Sequence, residues 1–288
     1  MSAGRPTFGE RLSAATAEHG PLCVGIDPHP ALLAAWGLTD DADGLRAFAL
    51  TVVDALGGQV AALKPQAALF ERHGSRGVAV LEDVVAAARA ARTLTIVDAK
   101  RGDIGSTMQG YADAYLRDGS PLAGDALTVS PYLGFGSLAP AVEAAHATGR
   151  GLFVLCLTSN PEGADVQHAT DTRGRSVAAE IAARAAELNA PAGAEGHLGS
   201  VGLVVGATVG DAASEHGVDL AAVNGPLLAP GVGAQGAGGA ELAAVFGDAR
   251  PAVLASSSRG VLAAGPDARA LLAAARRAAD DARAALGA

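Results

Sequence analysis

The chain has 288 residues, half of them apolar and few aromatic, and carries a net charge of −9. That length accommodates one large domain or two small ones. With no basic tract it argues against nucleic-acid binding, and with no apolar run of signal-peptide or membrane-spanning length it reads as a soluble cytoplasmic protein without a membrane anchor.

Short apolar runs alternate with longer stretches rich in Ala and Leu. In chain order the strand candidates are 22–26, 60–63, 94–97, 126–129, 151–157, 199–205, 226–228 and 252–255. Between and after them, helical patterns occupy 45–56, 78–91, 107–117, 137–148, 176–189, 210–216, 240–246 and 267–286. Ala and Leu are good helix formers, which suits these segments. The stretch 191–196 reads as a turn-rich excursion before the sixth strand, and 162–175 as a polar, mobile insertion. The glycine-rich stretch 231–239 reads as a loop inside one domain.

Apolar strands each followed by a helix argue for a parallel sheet covered on both faces. Eight such units in this length fit a (β/α)8 TIM barrel, a single domain over 1–288. A doubly wound open sheet is the alternative. Its dinucleotide-binding version is weakened because Gly25-Ile26-Asp27-Pro28, not G-x-G-x-x-G, follows the first strand.

In such a barrel, active sites sit at the C-terminal ends of the strands. There this sequence places Asp27, Lys64, Asp98 with Lys100, Ser130, Thr158-Ser159-Asn160, the glycine loop and Ser258-Arg259. The densest cluster is Asp98-Ala99-Lys100-Arg101-Gly102-Asp103. Residues two apart on a strand share a face, so Asp98 and Lys100 project together. Unpaired charges are costly to bury, and this grouping points to a positioned, protonated lysine. Taken alone, it also fits a surface ion pair at a strand end. Gly231, Gly233 and Gly236 let backbone amides approach an anion, and Arg259 follows the next strand, as a phosphate site would need. A flexible turn with a helix cap is the plainer reading of that loop. Cys23 and Cys156 lie in apolar runs and read as buried small hydrophobes, and the seven His residues form no metal-ligand spacing.

Seven segments together resemble the orotidine 5′-phosphate decarboxylase family, in its longer bacterial, type 2 form. They are Val24-Gly-Ile-Asp-Pro28, Leu63-Lys-Pro-Gln66, Asp98-Ala-Lys-Arg-Gly-Asp-Ile-Gly-Ser-Thr107, Val129-Ser-Pro-Tyr-Leu-Gly134, Leu157-Thr-Ser-Asn-Pro161, Ala229-Pro-Gly-Val-Gly-Ala-Gln-Gly236 and Ser257-Ser-Arg-Gly-Val261. The resemblance implies decarboxylation of orotidine 5′-phosphate to UMP, the last step of de novo pyrimidine synthesis, without metal or organic cofactor. It implies that Lys100 donates a proton to the pyrimidine and that Lys64, Asp98, Lys100 and Asp103 form an alternating charged network. Asp103, Ile104 and Thr107 would reach the site of a neighbouring subunit, making a homodimer with shared active sites. Asp27 would contact the ribose, Ser159 the pyrimidine amide, and Gly233, Gln235 and Arg259 the phosphate. Ser130 and Ser257 depart from the family pattern, which has Asn at the first and Ala or Asn at the second.

Two other readings compete. A sugar-phosphate aldolase or keto-acid decarboxylase of the same superfamily shares D-x-K-x-x-D but uses Mg2+ and carries an acid where Lys64 stands. A non-catalytic nucleotide-binding protein would not need the four-charge network.

Overall fold

A computed structural model of the chain describes residues 5–232 and 238–287. Its eight strands are β1 (Leu22–Ile26), β2 (Ala62–Pro65), β3 (Leu94–Arg101), β4 (Ala126–Val129), β5 (Gly151–Leu157), β6 (Val201–Val205), β7 (Leu227–Pro230) and β8 (Val253–Ser257). They close in sequence order into one barrel. Every pairing is parallel, including the closure of β1 on β8, where Leu22 faces Ala255. The expected (β/α)8 barrel is therefore the observed fold, and the open-sheet alternative is not.

Apolar packing divides into two regions. The larger lies between the strands and the surrounding helices and takes in Val24, Leu63, Val97, Leu127 and Leu203 with helical residues such as Phe48, Val84 and Leu271. The smaller one joins strand residues Cys23, Ala62, Ile96, Ala126, Phe153, Val204, Leu228 and Leu254 to Phe8 and Leu12. Phe8 and Leu12 belong to a helix, Phe8–His19, that precedes β1. Phe8 meets the Phe153 ring edge-on, with centroids 5.9 Å apart. A side chain at Gly151 would strike the Phe8 ring at 2.1 Å. This helix packs where β5 begins, opposite the strands' C-terminal ends.

The sequence reading omitted that helix because its apolar stripe is thin. Its start was nevertheless written in the sequence. Thr7 accepts from the Glu10 amide while the Glu10 carboxylate accepts from the Thr7 amide, a reciprocal capping box.

Several expected boundaries shift, three of them for a clear reason. The second strand runs over Ala62–Pro65 rather than 60–63, so Lys64 lies on the strand itself. The third continues past Val97 to Arg101 because Arg101 pairs with Val129 after a register shift. The residues expected as a turn at 191–196 instead largely continue the helix Val177–Ala194 through Pro191. The buried Asn189 side chain explains this. Its amide donates to Val201 O at 2.7 Å and Val223 O at 2.9 Å, and its oxygen accepts from Val201 N at 3.1 Å. These bonds hold the helix end against β6, outweighing one proline.

The 162–175 stretch follows β5 as a 3-10 turn, Pro161–Gly163, and a short helix, Ala164–Gln167, and is closed by an antiparallel bridge between Thr170 and Ser176. No described helix is long and apolar enough to cross a membrane.

Candidate active site

The C-terminal ends of the strands enclose a cavity of about 960 Å3. Asp27, Lys64, Asp98, Lys100, Ser159 and Arg259 all line it. They come from five different strand ends, so the barrel closure brings them together.

Asp98 is the hub. Its Oδ2 accepts from Lys64 Nζ at 2.9 Å, and its Oδ1 accepts from Lys100 Nζ at 2.6 Å and from Thr128 Oγ1 at 2.9 Å. Lys64 and Asp98 are buried, whereas the Lys100 side chain is 43 % exposed and faces the open cavity. Burial by itself would push the Asp98 pKa up, but the Lys64 and Lys100 ammonium groups reverse this and hold it far below the ordinary carboxylate range. Burial would likewise pull Lys64 down, and the carboxylates of Asp98 and Asp27 raise it instead. The array is therefore a fixed carboxylate between two cations.

Lys100 stands at φ +48°, in the left-handed region. Side chains rarely adopt it, and such strain persists only where neighbours hold it. Here Lys100 N–H donates to Thr128 Oγ1 at 2.9 Å, and Ser130 N–H donates to the Arg101 carbonyl at 2.8 Å. Thr128 accepts from the Lys100 backbone, which directs its own proton to Asp98. The Arg101 guanidinium pairs with Glu71, contacts Tyr115 Oη at 3.2 Å, and lies over the rings of Tyr111 and Tyr115 at 5.5 and 5.6 Å. These contacts clamp the chain on the far side of Lys100.

Asp27 follows β1 directly, and its Oδ1 is buried without a partner among the described residues, an oxygen placed to accept from a ligand hydroxyl. Gly25 makes room for this corner, since a Cβ there would meet Ser258 Oγ at 2.0 Å and Asp27 Oδ2 at 2.9 Å. Ser159 sits two residues past β5. Gln167 braces that loop by accepting from Thr158 N at 2.9 Å and donating to Thr158 Oγ1 at 2.7 Å.

Asp103, Ile104 and Thr107 do not line this cavity. Asp103 Oδ1 accepts from the Ile104 amide at 2.8 Å, and Ile104 is 62 % exposed on the rim. Gly233 and Gln235 lie outside the described residues. Cys23 and Cys156 are buried free thiols, each pushed up to about 12 by burial, as inert small hydrophobes should be.

Sequence reasoning gave Thr128 and Gln66 no role. Thr128 is an inward position of β4, where alternation alone calls for an apolar residue. A threonine there was a signal, since a buried hydroxyl needs a partner.

A profile of the Orotidine 5′-phosphate decarboxylase / HUMPS family matches residues 20–274. This chain belongs to that family. The orotidine 5′-phosphate decarboxylase of Salinispora arenicola is 63% identical over 280 residues, covering 97% of this chain and 98% of the relative. The crystal structure of the putative orotidine 5′-phosphate decarboxylase from Streptomyces avermitilis shares 61% identity at a TM-score of 0.93, covering 99% of this chain and 98% of that one. The OMP decarboxylase of Leishmania donovani is 31% identical at a TM-score of 0.75, covering 98% of this chain and 100% of that one. The family resemblance drawn from seven short segments thus extends over nearly the whole chain.

Proposed function

We propose that this protein decarboxylates orotidine 5′-phosphate to UMP and CO2, the closing step of de novo pyrimidine synthesis. The observation that carries the reading is the Lys64–Asp98–Lys100 array, with Asp98 accepting from both ammonium groups at 2.9 and 2.6 Å at the mouth of the barrel. Near-full-length relatives of that name support it.

In this reading the C6–carboxylate bond breaks and its electron pair stays at C6. The Lys100 ammonium stabilises that charge and then gives C6 a proton. Asp98 accepts from the Lys100 ammonium at 2.6 Å and fixes where its Nζ points. Lys64 offsets the carboxylate. Asp27 accepts from a ribose hydroxyl, Ser159 bonds the pyrimidine amide, and Gly233, Gln235 and Arg259 hold the phosphate. Phosphate binding then supplies remote binding energy for orientation. The scheme needs no metal or organic cofactor.

We read the active form as a homodimer in which Asp103, Ile104 and Thr107 complete the partner's site. Their position outside their own cavity supports this, as does the exposure of Ile104, Tyr132 and Leu133, at 62, 76 and 53 %. We also read the chain as a single-domain cytoplasmic enzyme, a reading the direct closure of β1 on β8 supports for the domain.

The Mg2+-dependent sugar-phosphate reading is disfavoured by Lys64, a buried cation where that chemistry wants a carboxylate. The deciding experiment follows absorbance as orotidine 5′-phosphate is added to purified protein in EDTA. Fast conversion by wild type and near-zero conversion by Lys100→Ala are expected. No conversion by folded wild-type protein overturns the reading.

A further inference from the structure

Asp98 has room for one more donor. A carboxylate offers about four acceptor positions. Lys100 and Thr128 occupy Oδ1, and Lys64 takes one position on Oδ2. The fourth partner is Gln66. Its side-chain nitrogen lies 2.6 Å from Asp98 Oδ2 and 3.2 Å from the Asp98 carbonyl oxygen. Hydrogen bonding selects this orientation of the amide, because a Gln66 oxygen turned that way would face only acceptors.

The backbone reinforces the contact. Gln66 directly follows β2, forms a parallel bridge with Asp98, and donates its own N–H to Ile26 O at 3.2 Å. It also stands at the N-terminal boundary of the helix Ala67–Glu71. Glu71 at the other end of that helix pairs with Arg101. One short helix therefore touches β3 on both sides of Lys100, at Asp98 through Gln66 and at Arg101 through Glu71. Gln66 is absent from the cavity lining, so it acts through Asp98 and not on the substrate.

We infer that Gln66 is a positioning residue: its amide fills the last acceptor site of Asp98 and fixes the carboxylate that aims the Lys100 ammonium. A neutral donor suits this place. A third cation would compete with Lys100 for the carboxylate, and an acid would share a proton with it. The inference rests on the proposed decarboxylation for its kinetic consequence, but the contact itself does not.

The test uses two variants of the full-length protein. Gln66→Leu removes the donor without adding charge. Hydrogen bonds to charged groups are strong enough that kcat should fall on the order of tenfold, with KM nearly unchanged because the residue does not touch substrate. Gln66→Glu places a second carboxylate against Asp98. Two such carboxylates share a proton, so the acid limb of the kcat profile should move up by about one pH unit or more. A residue that merely supported the fold would lower stability and leave both readouts alone. If wild type decarboxylates and both variants keep its kcat and its acid limb, the inference falls.

If wild type turns over no orotidine 5′-phosphate, the proposed function falls, and unfolding reads the inference instead. In folded Gln66→Glu the facing pair retains a proton above the pH at which an unfolded Glu releases it. The folded state then binds more protons, so its stability falls relative to wild type as pH rises. The Tm gap between the two should be small at about pH 4 and widen toward about pH 7. A gap that does not change with pH overturns the inference.

Discussion

Replacing Asp98 by Asn tests the electrostatic core of the site by a change of sign. Lys64 and Asp98 are 6 and 7 % exposed, and their charges are 2.9 Å apart. Asn keeps the shape and removes the charge. Lys64 is then a buried ammonium opposed mainly by burial and aided chiefly by the more distant Asp27. Breaking one side of a buried pair costs about 3–5 kcal/mol. At pH 7 that corresponds to a fall in Tm on the order of 10 °C for a chain of this size. In wild type, Lys64 is raised in the folded state, so its contribution is fully present below the unfolded lysine pKa and is lost only as pH rises through the folded value. In Asp98→Asn, burial prevails and pulls Lys64 below the unfolded value. The unfolded state then binds more protons, and stability climbs between about pH 7 and pH 10. Wild type should not climb there. On the acid side, the depressed Asp98 pKa contributes stability present above the unfolded carboxylate value and lost as pH falls through the folded one, a loss the variant lacks. Denaturant unfolding at a series of pH values measures both limbs. A penalty under about 1 kcal/mol with the wild-type slope from neutral to alkaline pH would refute the reasoning, since it would mean that the pair is screened as at a surface.

Mixing Lys100→Ala with Asp103→Ala protein checks the shared site. Each variant alone should be nearly inactive. Random exchange gives about half mixed dimers with one intact site each, so about a quarter of wild-type activity should return; no recovery after verified exchange counts against sharing. Phe8→Ala probes the opposite end of the barrel. Loss of a fully buried ring that meets Phe153 edge-on should cost about 3–5 kcal/mol of stability. The kcat of the folded fraction should stay at the wild-type value, as thermal melts and active-site titration would show.

The parts of this molecule legible in the sequence are those governed by short periods. β1, β4 and β5 are apolar runs bounded by turn residues, and their observed limits match the expected ones. The site residues that could be read share one rule, a polar residue where an apolar run stops. Asp27, Lys64, Asp98, Lys100, Ser159 and Arg259 all obey it, and barrel closure then converts a shared position along each strand into a shared cavity. What stayed hidden depends on contacts between elements. β3 extends to Arg101 only because Arg101 finds Val129 on β4 after a shift in register. The helix through Pro191 persists because Asn189 finds carbonyls on two other segments.

The same distinction explains why Lys100 was easy to find and its support was not. Lys100 announces itself by charge in an apolar setting. Thr128 and Gln66 are neutral, and either could be an ordinary strand or turn residue. Their importance comes from Asp98, whose two oxygens must be filled from three different directions while its neighbour Lys100 is held at φ +48°. A strained backbone and a saturated carboxylate limit each other's freedom. Lys100 cannot relax toward an extended conformation without giving up its N–H bond to Thr128, and Thr128 cannot turn to another acceptor without leaving Asp98 short of a donor. The Lys100 ammonium is thereby fixed by the groups that flank it, and solvent is not needed to hold it in place. That is the preorganisation a charge-stabilising site requires.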